Sequence, residues 1–358
     1  LVSSLKNKKN SFLPKEFAIA HELSFIIHDV MAQIIQSGKE GNFFTTTIDI
    51  ENNDDNESLE KSNDIFAWLK VQNRFNDRAK VLKITVLPAI LSDMLHCIYE
   101  ALESSRKSKL NISYMLIRKP LQESLYLLEA IVLDELDFSE KLAEDPLKLR
   151  SQNAGGVNAH GIRIQKVLDI LNESSRFDAS YIAQLRYDKA HDDSFDGICN
   201  HAMHLFTEHK AIRTEQLNIN FIFSGWEQKI SQWSYLYSRI PYLLFYTLCI
   251  VEYIVSSFAL TTPEYLDDIQ RRISASILLW WRKVDEHYKC QQLNRFVQVT
   301  ESWLNEHCQS SGYSLPTEKD LLRMSDTGAY PKEKILSVKK RNMKYKIHAA
   351  LNKMLVKQ

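Results

Sequence analysis

Residues 180–209 read SYIAQLRYDKAHDDSFDGICNHAMHLFTEH. Apolar positions on either side recur at helical spacing, and a polar interruption, RYDKAHDD, sits between them. It carries Arg186 and His191 with four residues between, and His201 and His204 follow on the same segment. On an ideal helix, five positions at 100° each leave Arg186 and His191 roughly 140° apart. The two side chains converge only where the helix ends or restarts between them, and Asp188 is placed to be an N-cap.

Outward from this stretch the pattern is helical nearly everywhere. In residues 111–136, Tyr114, Ile117, Leu121, Leu125, Leu128, Val132 and Leu136 recur every three or four positions, with Pro120 inside as a bend. Residues 87–102 carry a matching stripe from Leu87 to Leu102, with Pro88 in a first turn or at a kink. The polar turn at 104–109 joins the two as an antiparallel hairpin. Residues 12–36 predict an amphipathic helix ended by Gly38 and Gly41. The run 153–161, NAGGVNAHG, lacks the preceding strand a dinucleotide fingerprint needs and reads as a connector. Residues 162–172 predict a short helix, with caps for the next one at 174–178. Helices over 263–289 and 293–307 follow, with breaks at 312–316 and 328–331. Residues 217–223 alternate weakly and are the only candidate strand. The fold class is all-α.

Composition agrees. Nine Gly and eight Pro in 358 residues favour long helices over turn-rich β architecture. The formal net charge is zero, so any nucleic-acid surface must be local. Cys97, Cys199, Cys249, Cys290 and Cys308 form no CxxC pair, which argues for reduced thiols, a cytoplasmic setting and no thiolate metal site. Residues 1–10 have no secretory pattern. Residues 240–260 have transmembrane length, but Glu252 and Pro241 fall within them and no comparable second span is evident. A core helix and no membrane are expected. Residues 51–64, ENNDDNESLEKSND, read as a mobile surface loop or linker.

RYDKAH, residues 186–191, resembles the Arg-x4-His signature of the HEPN superfamily, small helical bundles found in toxins, phage-defence proteins and RNA-processing factors. In that family a hairpin of two long helices precedes the motif, as residues 79–136 do here, and another helix follows, as 192–207 do. The resemblance spans at most residues 79–260. It implies a HEPN-like bundle over 79–260, with an N-terminal helix and acidic loop over 1–78 and a helical region with a basic tail over 261–358. It further implies a metal-independent endoribonuclease of toxin or defence type, without cofactor, that works as a homodimer and has a possible neutralising partner protein. RNA supplies the 2′-OH nucleophile. His191 would handle protons, and Arg186 would hold the scissile phosphate. Arg118, Tyr187, Asp188, Lys340 and Arg341 are expected on the substrate side. Tyr187 departs from the small polar residue often found after the Arg in active members.

Other readings stand beside this one. Arg186 could pair with Asp188, Asp192 or Asp193 on a solvated face, with His191 an ordinary surface residue, leaving a non-catalytic helical interaction or RNA-binding module. His201, His204 and Glu208 share one helix face and could ligate a divalent metal, but no fourth ligand is evident, so no metal is expected. Arg118 lies on the face of its helix that carries Glu129, which suggests a carboxylate partner at the edge of the core. Residues 331–358 hold nine Lys or Arg against one acid, Glu333, as a phosphate-tracking tail or a solvated helix face.

Overall fold

The computed structural model describes residues 11–50, 52–62, 64–203, 224–259 and 261–344. No strand occurs among the described residues. The candidate strand at 217–223 lies outside them, as do His204 and Glu208.

The chain enters through α1 (Ala18–Glu40), which continues past Gly38 and is capped at Gly41. The acidic stretch read as a loop is instead α2 (Asn53–Glu60), started by Asn52, whose side chain accepts from the Asp55 N–H at 2.7 Å. It buries no residue, so capping and local bonds hold a helix that hydrophobic periodicity could not reveal. Next come α3 (Ile65–Val71) and α4 (Phe75–Arg106), which carries Pro88 in its interior. The expected hairpin follows: α4 turns through residues 107–109, with Ser108 at φ +61°, into α5 (Leu110–Lys119). Pro120 then opens a π-helical segment, Pro120–Ser124, before α6 (Leu125–Leu133).

Asp134 caps α7 (Glu135–Glu144). The connector is shorter than expected, because α8 (Val157–Leu171) begins right after Gly156 and takes in Gly161. Asp178 caps α9 (Ala179–Tyr187), and Ser194 caps α10 (Phe195–Ala202). The polar interruption is therefore a break between two helices. The remaining elements are α11 (Trp226–Ser256), α12 (Pro263–Trp281), α13 (Gln291–Ser310), α14 (Glu318–Thr327) and α15 (335–344). Helix α14, between the two expected breaks, carries a Thr317/Asp320 capping box.

Helix α11 is the centre of the molecule. Every residue from 235 to 251 is buried, so the helix is enclosed on all sides. Several of its polar groups are bonded inside. Tyr237 Oη meets His21 Nδ1 at 2.7 Å and Ser105 Oγ at 2.5 Å, and Trp233 Nε1 donates to the Ser105 carbonyl at 3.1 Å. Helices α1, α5, α6 and α8 all pack on α11, and α1 also packs on α4 and α12. One contiguous apolar cluster runs from Phe17 to Tyr330 and joins all three sequence segments.

By length and composition, three helices could cross a membrane: Lys15–Glu40, Phe75–Arg106 and Trp226–Ser256. The sequence expectation of a single such span is corrected. Of the third window 89% is buried within the protein, so the core accounts for its apolar character.

Candidate functional site

Pro120 has no N–H to donate back into α5, and the ladder widens to π spacing, with the Leu125 N–H donating to the Pro120 carbonyl. The carbonyls in this wider turn receive the end of α9. Arg186 Nε donates to the Leu121 carbonyl at 2.6 Å, and Tyr187 Oη to that of Gln122 at 3.2 Å. Gln122 Nε2 donates in return to the Arg186 carbonyl at 2.8 Å. The proline bend in the hairpin thus fixes where α9 stops.

Glu129 lies on the same side, fully buried on α6. It accepts from Arg186 Nη1, from Arg163 Nη1 at 2.5 Å and from Tyr246 Oη at 2.9 Å. Arg186 is 1% exposed, and its Nη2 donates to Tyr187 Oη at 2.7 Å. Arg163 covers the Tyr126 ring at 3.8 Å and donates to the Tyr126 carbonyl at 2.9 Å. His160 stacks on Tyr187, with ring centroids 3.6 Å apart. One carboxylate therefore ties α6, α8, α9 and α11 together through two guanidiniums and a phenol.

The electrostatics follow from that geometry. Burial alone would raise the Glu129 pKa; Arg186, Arg163 and the bonds from Arg186 and Tyr246 outweigh it and hold the carboxyl below the usual glutamate value. Burial also works against charge on Arg186, but Glu129 keeps the guanidinium protonated. Burial, reinforced by the charge of Arg186, pushes His160 down to about 4, so it is neutral at pH 7.

His191 has a different setting. It lies half-buried in the turn between α9 and α10, where its Nδ1 accepts from the Asp193 N–H at 3.1 Å and its carbonyl from the Ser194 N–H at 3.0 Å. Asp188 ends α9 and accepts from the Ala190 N–H at 3.1 Å, so it shapes the turn after a helix and does not cap a new one. Asp193 is taken by Arg239 Nε at 2.9 Å and by Tyr181 Oη at 2.6 Å. Arg186 and His191 share no hydrogen bond, and neither bonds to Lys340 or Arg341. The solvated pairing of Arg186 with Asp188, Asp192 or Asp193 is replaced by a buried one with Glu129, a residue 57 positions upstream.

Arg118, at the end of α5, does have a carboxylate partner, but it is Asp196 and not Glu129. Its Nε lies 3.1 Å from Asp196 Oδ1, and Nη1 reaches Met203 Sδ at 3.5 Å. With 26% of its side chain exposed, Arg118 stands beside the first turn of α10 with solvent access. Lys340 is exposed, whereas Arg341 donates to Glu333 at 2.5 Å and to the Gly328 carbonyl at 2.9 Å. Among the described residues no three His, Cys, Asp or Glu side chains form a group that could hold a metal ion.

A second polar cluster had no place in the sequence reading. Arg271, fully buried on α12, bonds Asp267, Asp268 at 3.1 Å, the Gly328 carbonyl at 3.2 Å and Tyr330 Oη at 2.8 Å. His307 on α13 meets Asp267 at 2.7 Å and Tyr330 Oη at 3.0 Å. The available signal was an Arg with acids three and four positions earlier on the same helix. This cluster clasps the 328–341 segment onto α12 and α13.

The chain matches no family model, no curated protein and no solved structure.

Proposed function

We propose that this protein is a non-catalytic helical interaction module, in which the Arg186 motif is part of the frame. The observation that carries this is the guanidinium of Arg186, enclosed at 1% exposure and bonded to Glu129, the Leu121 carbonyl and Tyr187. A cation that stabilises a phosphorane must reach a phosphate, and one engaged on three sides within a core cannot.

A metal-independent endoribonuclease, cytoplasmic and homodimeric, with a neutralising partner, is the second reading. What favours it is the break between α9 and α10, which leaves His191 half-exposed on the turn before the helix where the partly exposed Arg118 is held. In that case Arg118, and not Arg186, is the cation that would meet RNA. The full chain incubated with mixed-sequence RNA in EDTA separates the two. Intact RNA supports the interaction module. Fragments ending in 2′,3′-cyclic phosphate, lost in both His191→Ala and Arg118→Ala, establish the nuclease.

A further inference from the structure

Helix α15 is held at a fixed rotation. Val338 is buried, and Arg341 is anchored to Glu333 and to the Gly328 carbonyl. At 100° per residue these two positions define the inner side. The opposite half of the helix then presents, in order around the surface, Ile335, Lys339, Met343, Leu336, Lys340 and Lys344, all exposed. Ile335, Leu336 and Met343 are 68%, 73% and 60% exposed, a density of outward aliphatic side chains that water does not favour. No acid lies on this arc, and Glu333, the single acid of residues 331–344, is consumed by Arg341.

We infer that the outward arc of α15 docks on an anionic lipid surface, with Leu336, Met343 and Ile335 entering the interface and Lys339, Lys340 and Lys344 meeting the headgroups. Charge complementarity selects this occupant. Lys339 on one side and Lys340 and Lys344 on the other flank the Met343–Leu336 ridge, with Ile335 at the edge beyond Lys339, the arrangement that lets ammonium groups stay at headgroup level while the ridge is buried. A nucleic-acid strand would draw on aromatic side chains for stacking, and this arc has none. The arginine best suited to a phosphate, Arg341, is already bonded inward.

The test is co-sedimentation of the full chain with phosphatidylcholine vesicles that contain or lack phosphatidylserine. Binding is expected only with phosphatidylserine and is expected to weaken as salt rises. Each lysine near such a surface contributes about 1 kcal/mol, or about fivefold, so K339Q/K340Q should lower binding about 25-fold. L336Q/M343Q keeps all the charge and should also reduce binding severalfold. Among the described residues these outward side chains make no hydrogen bond or ion pair, and both variants should melt with the parent chain. Absence of phosphatidylserine-dependent binding overturns the inference. So does binding that L336Q/M343Q leaves unchanged, or a mixed-sequence single-stranded RNA that binds more tightly than the vesicles and responds only to the lysine changes.

Discussion

Replacing Glu129 by Gln keeps the shape of the side chain and removes its charge. Arg186 is then left in the core without a counter-charge, and because the amide keeps one accepting oxygen, either Arg163 on one side or Arg186 and Tyr246 on the other lose their acceptor. Removing one partner of a buried ion pair costs about 3–5 kcal/mol. At about 2.1 cal/mol/K per residue, the unfolding entropy of a chain this long is about 0.75 kcal/mol/K, so Tm should fall by about 4–7 °C at pH 7. Calorimetry of parent and E129Q measures this directly. The pH dependence supplies a second check. The Glu129 pKa is depressed in the folded state, so its contribution is complete above the usual glutamate value and is lost as pH falls through the lower folded one. The gap between parent and E129Q should therefore close toward acid pH. The paired change Glu129→Leu with Arg186→Met should destabilise less than Glu129→Leu alone, because the fully buried guanidinium leaves with its carboxylate and only the part-buried Arg163 stays unpaired. A Tm change under about 1 °C in E129Q would refute the account of a buried keystone.

Other substitutions probe the same frame. His191→Ala, on a half-exposed turn, should change stability by no more than about 0.5 kcal/mol in urea unfolding, against about 3–5 kcal/mol for Arg186→Ala. Gly328→Ala should destabilise by about 1–3 kcal/mol: at φ +68° its Cβ would run into the Asp268 carboxylate. Glu252, pushed up to about 7 by burial, keeps its proton longer folded than unfolded, so stability is lost as pH rises from the usual glutamate value toward 7. Glu252→Gln should accordingly raise Tm at pH 8 and leave it nearly unchanged at pH 4. His21 and His160, both pushed down to about 4 by burial, predict a loss of stability as pH falls from 6.5 toward 4. His160→Phe, which keeps the stack on Tyr187, should flatten part of that limb in a pH series of melting curves.

Apolar periodicity revealed the long helices because each buries a stripe: Leu87, Leu91, Met94, Leu95 and Ile98 on α4 are all core residues, as are Tyr114, Ile117, Leu121, Leu125 and Leu128 on the returning arm. The same signal is blind to α2, which buries nothing and is held by the Asn52 cap; α14 buries only Leu321 and Met324, a stripe too short to stand out beside its capping box. The polar run at 186–193 correctly marked a helix break. Where Arg186 goes was not legible from its neighbours, since its partner lies 57 residues upstream and only tertiary packing brings the two together. One trace existed. Glu129 stands in LYLLEAIVL, an otherwise apolar run, and an acid on such a helix calls for a buried cation or for keeping its proton, as Glu252 does. Arg239 sends the same message inside the enclosed part of α11, and its partner Asp193 lies in the very turn that carries His191.

The Arg186 side chain itself offers the most direct test. In a nitrogen-15 spectrum of the full chain, the Arg186 Nε–H resonance, identified by its loss in Arg186→Lys, reports on both burial and ligand contact. Bonded to the Leu121 carbonyl in the core, it should exchange with solvent only on global opening and should not shift when RNA is added. Exchange at the rate of an exposed guanidinium, with a shift on adding RNA, would contradict the account.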